Sequence, residues 1–561
     1  MRLILLTLLL AVCVSAGFFG DLGDKVKKIF GGEESVKDKL TSGLKKIFTS
    51  PSFMKIREKL SKLKNKIKKT LELSPKMLES LKQRLAKLRP ITHVQVNEMG
   101  DSIDEVNEKS EVSDFLYQGD IVLTEELAED IEEDVNEEVG EGNRTKRQAF
   151  KDRRYPATLW ADGVNYYFDY NASPQVQSVF RKGVKEWEKY TCINFKEDRM
   201  ATDKLRIFAE KGCWSYVGRR GGKQDLSLGR GCESVATAAH ELGHALGFFH
   251  TMSRHDRDNF ITVNSANIKP DWLDQFTKQT PLTNENYGIT YDYGSIMHYG
   301  GRSASYNRKA YTMVPFDTKY QETLGSPFVS FYELLMLNKH YNCLDKCEKD
   351  PRRARCEMDG FPNPRNCSQC ICPGGYGGAT CNKRPDGCGQ VLNATKDYQD
   401  LRSTIGHPDM QEQEDFEICN YWIESPPGTQ IEVRIDKISG SWTVDGCRYF
   451  GVEIKTQKDQ KATGYRFCAK EDVDVTLLSQ TNRVPIITFS REAQTDIVIQ
   501  YRYVTDGKPG PKPTTTTTPR PSLPPGYRCE DNLTCTKFIC SSSALTVDMK
   551  MKMCPKMCGY C

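Results

Sequence analysis

The stretch HELGHALGFFH, residues 240 to 250, constrains the fold most, because it holds three of the chain's eight histidines. On a helix, His240 and His244 lie on one face, one turn apart. Unbroken helix would carry His250 about 15 Å further along the axis. Gly247 permits the left-handed turn that ends a helix and brings the chain back beneath the first two imidazoles. The pattern predicts a three-histidine zinc site with Glu241 beside the metal, where this carboxylate polarises a water.

The N-terminus and the cysteines indicate a secreted, multidomain protein. At 561 residues the chain is too long for one core. MRLILLTLLLAVCVSA predicts a signal peptide over residues 1–16, and no later stretch is apolar enough to predict a transmembrane segment. Its removal takes Cys13 and leaves an even number of the 21 cysteines, which predicts an extracellular, disulfide-bonded chain. The net charge of +4 favours neither nucleic acid nor a membrane surface.

Residues 17–147 have the composition of a propeptide. Up to about Arg89 they are rich in lysine with helical spacing of apolar residues, which predicts an exposed amphipathic helix or two. That helix is either a surface or matrix anchor or, as we prefer, a solvated face of the propeptide. An acidic stretch and then the tetrad ending at Arg147 predict cleavage after Arg147 by a processing protease of furin type.

Residues 148–343 have the mixed composition of one sizeable α+β domain. YPATLWADGVNYYFDY predicts strand, turn and strand. SPQVQSVFRKGVKEWEKYT predicts a helix that buries one apolar face, formed by Val176, Val179, Phe180, Val184 and Trp187.

Three further units follow. Residues 344–382 hold six cysteines in a small loop-rich unit, and residues 388–504 hold β-rich runs at sandwich-like intervals. A Pro/Thr-rich linker over 505–526 precedes another six cysteines in residues 529–561. Glycosylation is predicted at four sequons, which begin at Asn171, Asn366, Asn393 and Asn532.

HELGHALGFFHTMSRHDRD, followed by SIMHY at residues 295–299, resembles the astacin family of secreted zinc endopeptidases, which are metzincins. The resemblance implies that His240, His244 and His250 are the zinc ligands and that Glu241 is the catalytic base. It implies that Met297 forms the apolar floor beneath the metal. Tyr299 matches the tyrosine that coordinates zinc at rest and then stabilises the oxyanion.

The resemblance extends to latency. Tyr117-Gln118-Gly119-Asp120 is similar to the astacin propeptide motif, which implies that Asp120 occupies the water position on zinc in the zymogen. One position departs from the family: Thr251 stands where astacins usually have a glutamate that helps bind the buried mature N-terminus. That contact is therefore not expected in this chain.

The C-terminal units resemble EGF-like, CUB and ShKT modules, a combination similar to that of the nematode astacins. Phe450 stands where calcium-binding CUB domains usually have an aspartate, so no calcium is expected there. For the whole chain, the family patterns imply ten disulfides: Cys192–Cys343, Cys213–Cys232, Cys347–Cys367, Cys356–Cys370, Cys372–Cys381, Cys388–Cys419, Cys447–Cys468, Cys529–Cys561, Cys535–Cys554 and Cys540–Cys558.

These observations favour a secreted zinc endopeptidase that cuts extracellular or matrix proteins, such as cuticle or eggshell, after activation from a latent zymogen. The alternative is a catalytically inert extracellular binding protein that uses its EGF, CUB and ShKT modules; loss of a histidine or of Glu241 would favour it, and all are present. A toxin-like channel blocker is weaker still, because SSSALTVDMKMKM lacks an adjacent lysine and tyrosine.

Overall fold

A computed structural model gives the structure of this chain. It describes residues 44, 47–140, 155–281, 283–408, 412–492, 494–505, 507, 530–532, 535–536, 539–540 and 545–558. The predicted signal peptide, the processing site at Arg147 and most of the 505–526 linker lie outside these residues. The chain divides into two compact units, residues 1–508 and 509–561. Across the described residues, no helix combines the length and the apolar character needed to cross a bilayer.

Residues 155–343 form a core built on a five-stranded sheet in the order β2-β1-β3-β5-β4. Strands β1, β2, β3 and β5 run parallel to their neighbours, and the edge strand β4 runs antiparallel to β5. The strands are β1 (Val164–Phe168), β2 (Phe195–Glu197), β3 (Lys204–Phe208), β4 (Cys213–Trp214) and β5 (Lys223–Leu228). A two-stranded sheet of β6 (Ile261–Val263) and β7 (Met313–Pro315) completes the strands of the core. The predicted α+β class is thus the architecture of this part of the chain.

Helices cover the sheet and the region around the histidines. In chain order they begin with α1 (Pro51–Thr70), α2 (Pro75–Leu85), α3 (Ile103–Lys109) and α4 (Glu125–Glu138), which lie in the segment predicted to be a propeptide. The core adds α5 (Pro174–Glu188), α6 (Val235–Ala245) and α7 (Phe331–His340). Short 3₁₀ segments lie at Ser113–Phe115, Thr251–Ser253, Arg257–Asn259, Ser265–Asn267, Pro270–Phe276 and Thr318–Thr323.

Helix α5 confirms the helix predicted from its apolar spacing. Ser173 caps it by accepting a hydrogen bond from the backbone N–H of Val176, and Pro174 occupies the first turn, where no N–H is needed. All five residues of the predicted apolar face are buried. Pattern and capping chemistry agree here, so the sequence determines both the helix and its orientation.

The strand predicted at the start of YPATLWADGVNYYFDY is wrong. Residues 155–158 form a turn, closed by a hydrogen bond from Leu159 N–H to Pro156 O, and only β1 is a strand. Arg219 fixes the turn, because its guanidinium donates to the carbonyl oxygens of Ala157 and Leu159. These carbonyls are therefore not available for a strand ladder.

The helices of the predicted propeptide are not simply solvated. Helix α1 has the predicted amphipathic pattern, but its apolar side chains, among them Ile56, Leu60 and Ile67, are buried in the same core as α5 and α6. Helix α1 packs on α4 and on the turn Pro270–Phe276. The expected exposure of the whole helix is wrong, because burying this apolar stripe removes it from water.

Residues 391–504 form a two-sheet β-sandwich. One sheet has the order β10-β12-β17-β14-β15 and the other β11-β18-β13-β16. The strands are β10 (Val391–Asn393), β11 (Gln399–Ile405), β12 (Glu417–Glu424), β13 (Gln430–Ile438), β14 (Phe450–Ile454), β15 (Tyr465–Phe467), β16 (Thr476–Leu478), β17 (Arg483–Ser490) and β18 (Thr495–Val504). Two 3₁₀ turns, Asp445–Cys447 and Lys470–Asp472, lie between strands. The sandwich predicted from the spacing of apolar runs is confirmed.

Between core and sandwich lies a small unit with helix α8 (Asp345–Glu348) and the hairpin β8 (Phe361–Asn363) and β9 (Asn366–Ile371). The second compact unit is described in part and contains helix α9 (Val547–Met553), capped by Thr546. Disulfides join nine of the ten pairs that the family patterns imply. The tenth, Cys529–Cys561, lies outside the described residues.

The predicted glycosylation sites differ in accessibility. Asn366, Asn393 and Asn532 are exposed. Asn171 is half-buried, and its amide donates to Ala209 O and accepts from Ala209 N–H. A glycan on Asn171 would therefore be attached to a half-buried amide nitrogen that already donates to Ala209 O.

Candidate metal centre

The three motif histidines come together because helix α6 ends where Gly247 allows it. The helix stops at Ala245, and Gly247 has φ of +110°. Its N–H donates to His244 O, and the following residue, Phe248, donates to Gly243 O. This left-handed ending is the one predicted from the sequence, and it returns His250 to the face that carries His240 and His244.

Each imidazole uses its Nδ1 atom for a hydrogen bond outside the cluster. His240 Nδ1 lies 2.7 Å from Ile296 O, and His244 Nδ1 lies 2.8 Å from Phe248 O. A carbonyl oxygen only accepts, so both Nδ1 atoms carry the proton. His250 Nδ1 lies 3.0 Å from Gln118 Oε1, whose amide nitrogen donates to Thr277 O. All three Nε2 lone pairs are thereby directed inward.

The Nε2 atoms surround the carboxylate of Asp120. Oδ2 of Asp120 lies 3.0 Å from His240 Nε2 and 3.2 Å from His250 Nε2. His244 Nε2 lies 3.2 Å from Asp120 Oδ1. Tyr299 OH donates to Oδ2 over 2.6 Å. Asp120 and the three histidines thus offer four ligand atoms around one point, all of them buried.

Burial keeps two of these imidazoles, those of His240 and His250, neutral. It lowers the pKa of His250 to about 3 and also lowers the pKa of His240, although Asp120 opposes both shifts. The unprotonated Nε2 atoms and the carboxylate oxygens of Asp120 therefore direct lone pairs toward one another. The donor set therefore fits a divalent cation at its centre, and three imidazoles with one oxygen suit zinc.

Glu241 lies beside this cluster and is 0 % exposed. Neither of its carboxylate oxygens accepts a hydrogen bond from any described residue. Burial raises its pKa well above the ordinary value, and the charge of Asp120 adds to this. A buried, unpaired carboxylate is costly for stability, which points to a functional role.

Met297 lies beneath helix α6. A Cβ atom added at Gly243 would lie 2.6 Å from Met297 Sδ, so only glycine leaves room for the methionine. The turn that carries Met297 is held by the carboxylate of Glu333 in helix α7, which accepts from the N–H groups of Ile296 and Met297. Thr251 bonds Ser295 in the same turn, with 2.6 Å between the hydroxyl oxygens.

Sequence reasoning missed the residues that fix Asp120 in place. Asn107 donates to Gly119 O and to Cys213 O, and it accepts from Cys213 N–H. The backbone of this segment also pairs with the core, because Ser215 N–H donates to Asp120 O. Gln118 lies in the motif of residues 117–120, but the sequence assigned a role in that motif to Asp120 alone. No sequence signal marks Asn107, which lies 13 residues from Asp120.

A buried site of three inward-facing imidazoles with an adjacent unpaired glutamate, set in an α+β core, defines a metal-dependent hydrolase. The profile of the astacin peptidase family matches residues 152–342. Zinc metalloproteinase nas-31 of Caenorhabditis elegans is 48% identical over 419 residues, which cover 74% of this chain and 68% of that protein. Zinc metalloproteinase nas-32 of the same organism is 36% identical over 455 residues, covering 80% and 67%.

Among solved structures, high choriolytic enzyme 1, a hatching enzyme zinc-protease of Oryzias latipes, is 31% identical with a TM-score of 0.30. The match covers 33% of this chain and 92% of that one. On the sequence relatives, the chain belongs to the astacin family and is a zinc metalloendopeptidase.

Proposed function

We propose that His240, His244 and His250 hold the zinc ion and that Glu241 and Tyr299 are the catalytic residues. The observation that carries this assignment is the convergence of three Nε2 atoms whose Nδ1 atoms are all engaged elsewhere. Such engagement fixes the tautomer and the orientation of a metal-binding histidine. When bound, zinc supplies Lewis acidity to the scissile carbonyl and to water.

The protein groups carry out the proton transfers. Glu241, with no competing hydrogen bond, takes a proton from the attacking water and delivers it to the leaving amine. Burial, with Asp120 adding to it, raises the pKa of Tyr299 far above the ordinary value, so its hydroxyl stays protonated and donates to the developing oxyanion. The product is a cleaved peptide bond in a protein substrate.

We infer that the described chain is the latent form. Asp120 occupies the centre of the three imidazoles, and Asn107 and Ser215 hold its backbone there. Cleavage after Arg147 by a furin-type protease would free residues 17–147 to leave. The mature enzyme would then comprise the peptidase core, an EGF-like unit, a CUB-like sandwich, a linker and a ShKT-like unit.

The disulfides and the signal-peptide sequence support secretion, with glycans at the exposed Asn366, Asn393 and Asn532. The substrates that fit such a chain are extracellular or matrix proteins, with cuticle or eggshell as candidates. Identifying proteins cut from an extracellular matrix preparation by the activated enzyme, but not by a Glu241→Ala variant, tests this assignment.

The activity itself is tested with a generic protein. Trimmed wild-type chain is expected to cleave casein and to stop when a chelator removes the metal. The Glu241→Ala variant is expected to bind zinc and yet be at least about 1,000-fold slower, because the base is lost while the ligands remain. Equal turnover by the two proteins would refute the assignment of Glu241.

A further inference from the structure

The propeptide reaches a second region of the molecule, the line along which the sandwich meets the peptidase core. We call this region the acidic seam and define it by Glu322 of the core and Thr443, Asp445 and Asp472 of the sandwich. Asp445 lies close to the metal centre, because a Cβ atom added at Gly300, next to Tyr299, would lie 2.8 Å from its Cβ. The sandwich therefore contributes a wall beside the catalytic tyrosine.

Two basic side chains of the propeptide bind in the acidic seam. Arg89 donates to Asp472 Oδ1 over 2.9 Å from Nε and lies 2.6 Å from it through a terminal nitrogen. His93 places Nε2 2.8 Å from Glu322 Oε2 and Nδ1 3.2 Å from Asp445 Oδ1. Directly after His93 the chain pairs with the sandwich, since Val94 N–H donates to Thr443 O.

The acidic seam is continuous with the metal centre. One cavity of about 240 Å³ is lined by His93, Val94 and Asp445 at the acidic seam and by His240 and Tyr299 at the metal centre. The cavity meets the acidic seam at Asp445, so a peptide bound at the metal centre can extend as far as this carboxylate.

Removal of the propeptide would take Arg89 and His93 away from the acidic seam. The side chain of Asp472 is 0 % exposed and that of Glu322 is 2 % exposed, and Arg89 is the cation paired with Asp472. Arg302 stays near Glu322, at 3.8 Å, and pairs with Asp445 at 2.5 Å. A buried carboxylate that loses its cation is destabilising.

We propose that, in the activated enzyme, the acidic seam binds a basic, extended segment of the protein substrate. The segment would place one arginine or lysine at Asp472 and a second basic residue, four positions further on, at Glu322 and Asp445. The inference rests on the proposed activation, which vacates the acidic seam. It adds a specificity determinant, supplied by the sandwich, to a reaction centre that lies in the peptidase core.

The test compares two peptides cut at the same bond by the activated full-length chain. One peptide is short and neutral; the other carries an added segment with arginine and lysine four residues apart. We expect kcat/KM for the extended peptide to be at least tenfold higher, mainly through a lower KM. Replacing both basic residues by glutamate should abolish the gain. This series requires no altered protein, so folding defects cannot mimic the result.

Variants of the acidic seam then test whether its carboxylates cause the gain in kcat/KM. Asp472→Asn and Glu322→Gln should each bring the ratio of kcat/KM for the two peptides toward one. The matched control Asp496→Asn, which removes a half-exposed sandwich carboxylate paired with Lys437, should leave the ratio as in the wild type. A wild-type ratio near one, or an equal gain with glutamate, would overturn the proposal. If the short peptide is not cut at all, the proposed catalytic function fails instead.

A separate binding measurement tests whether the acidic seam recognises the basic side chains of the propeptide itself. A labelled peptide of residues 86–101 should bind the activated Glu241→Ala chain, and its Arg89→Ala, His93→Ala form should bind at least tenfold more weakly. Equal binding of the two peptides would show that the acidic seam does not recognise basic side chains and would overturn the proposal.

Discussion

Within the described residues, two groups of carboxylate and histidine side chains lie close enough to share an ion. The two groups differ in how the charge of their buried carboxylates is neutralised. The first is Asp120 with His240, His244 and His250; the second is His93 with Glu322 and Asp445. In the second group Arg302 already supplies a cation, bonded to Asp445 at 2.5 Å. The described ion-pair partners of Asp120 are all imidazoles, and burial keeps two of them neutral.

The difference teaches that residue type and proximity do not define a metal site. What decides is the formal charge already present around the carboxylates. The acidic seam is neutralised by Arg302 together with Arg89 and His93, whereas among the described residues only imidazoles pair with Asp120, so the metal centre suits a metal ion.

The largest expected effect is on stability and concerns Arg302. The Arg302→Gln substitution should lower the free energy of unfolding of the uncleaved chain by about 3 kcal/mol, because it leaves buried carboxylates unpaired. Arg302 has only 8 % of its side chain exposed. Denaturant unfolding measures the change, and Lys437→Gln, in a half-exposed pair, is the control and should cost less than about 1 kcal/mol. A change for Arg302→Gln as small as that of the control would show that the acidic seam does not depend on its internal cation.

The next effect is on catalysis and concerns Tyr299. The Tyr299→Phe substitution should lower kcat about 100-fold with little change in KM, since it removes a donor that acts on developing charge. The exposed Tyr306 provides the control, and Tyr306→Phe should match the wild type. An effect on KM alone would contradict the role of Tyr299.

A smaller effect concerns latency. In a chain made uncleavable by Arg147→Ser, Asp120→Ala should raise the hydrolysis of a short peptide at least tenfold, because the carboxylate no longer fills the metal centre. Asp114→Ala, at an exposed propeptide position, should not change it. If the Asp120 variant stays as inactive as its parent, the covering propeptide backbone, and not this carboxylate, causes latency.

The smallest effect depends on pH and concerns His93. Burial alone lowers the pKa of His93, but Asp445 and Glu322 outweigh burial and the opposing Arg302, and they raise it. A histidine whose pKa is higher in the folded state than in the unfolded state stabilises the fold fully at pH values below its unfolded-state pKa of about 6.5. This stabilisation is lost as pH rises through the folded-state pKa. The stability of the uncleaved wild type should therefore exceed that of His93→Gln by about 1 kcal/mol near pH 6. The gap should shrink toward pH 9, and a gap that grows with pH would contradict the ion pairs of His93.

The sequence was most informative where local pattern and tertiary contacts agree. The spacing of Val176, Val179 and Phe180 predicted α5 and its buried face, and the histidine spacing with Gly247 predicted the end of α6. The turn at residues 155–158 was predicted wrongly, because it is fixed by the distant side chain of Arg219. The acidic seam was not predicted at all, since His93, Glu322 and Asp445 come from three segments far apart in sequence.

The measurement that tests the central claim most directly is the zinc content of the purified, activated chain after dialysis and reconstitution. We expect one zinc ion per chain in the wild type and in Glu322→Gln, and none in a His240→Ala, His244→Ala double variant that remains folded by circular dichroism. A folded wild-type chain that binds no zinc, or a double variant that still binds one, would contradict the account.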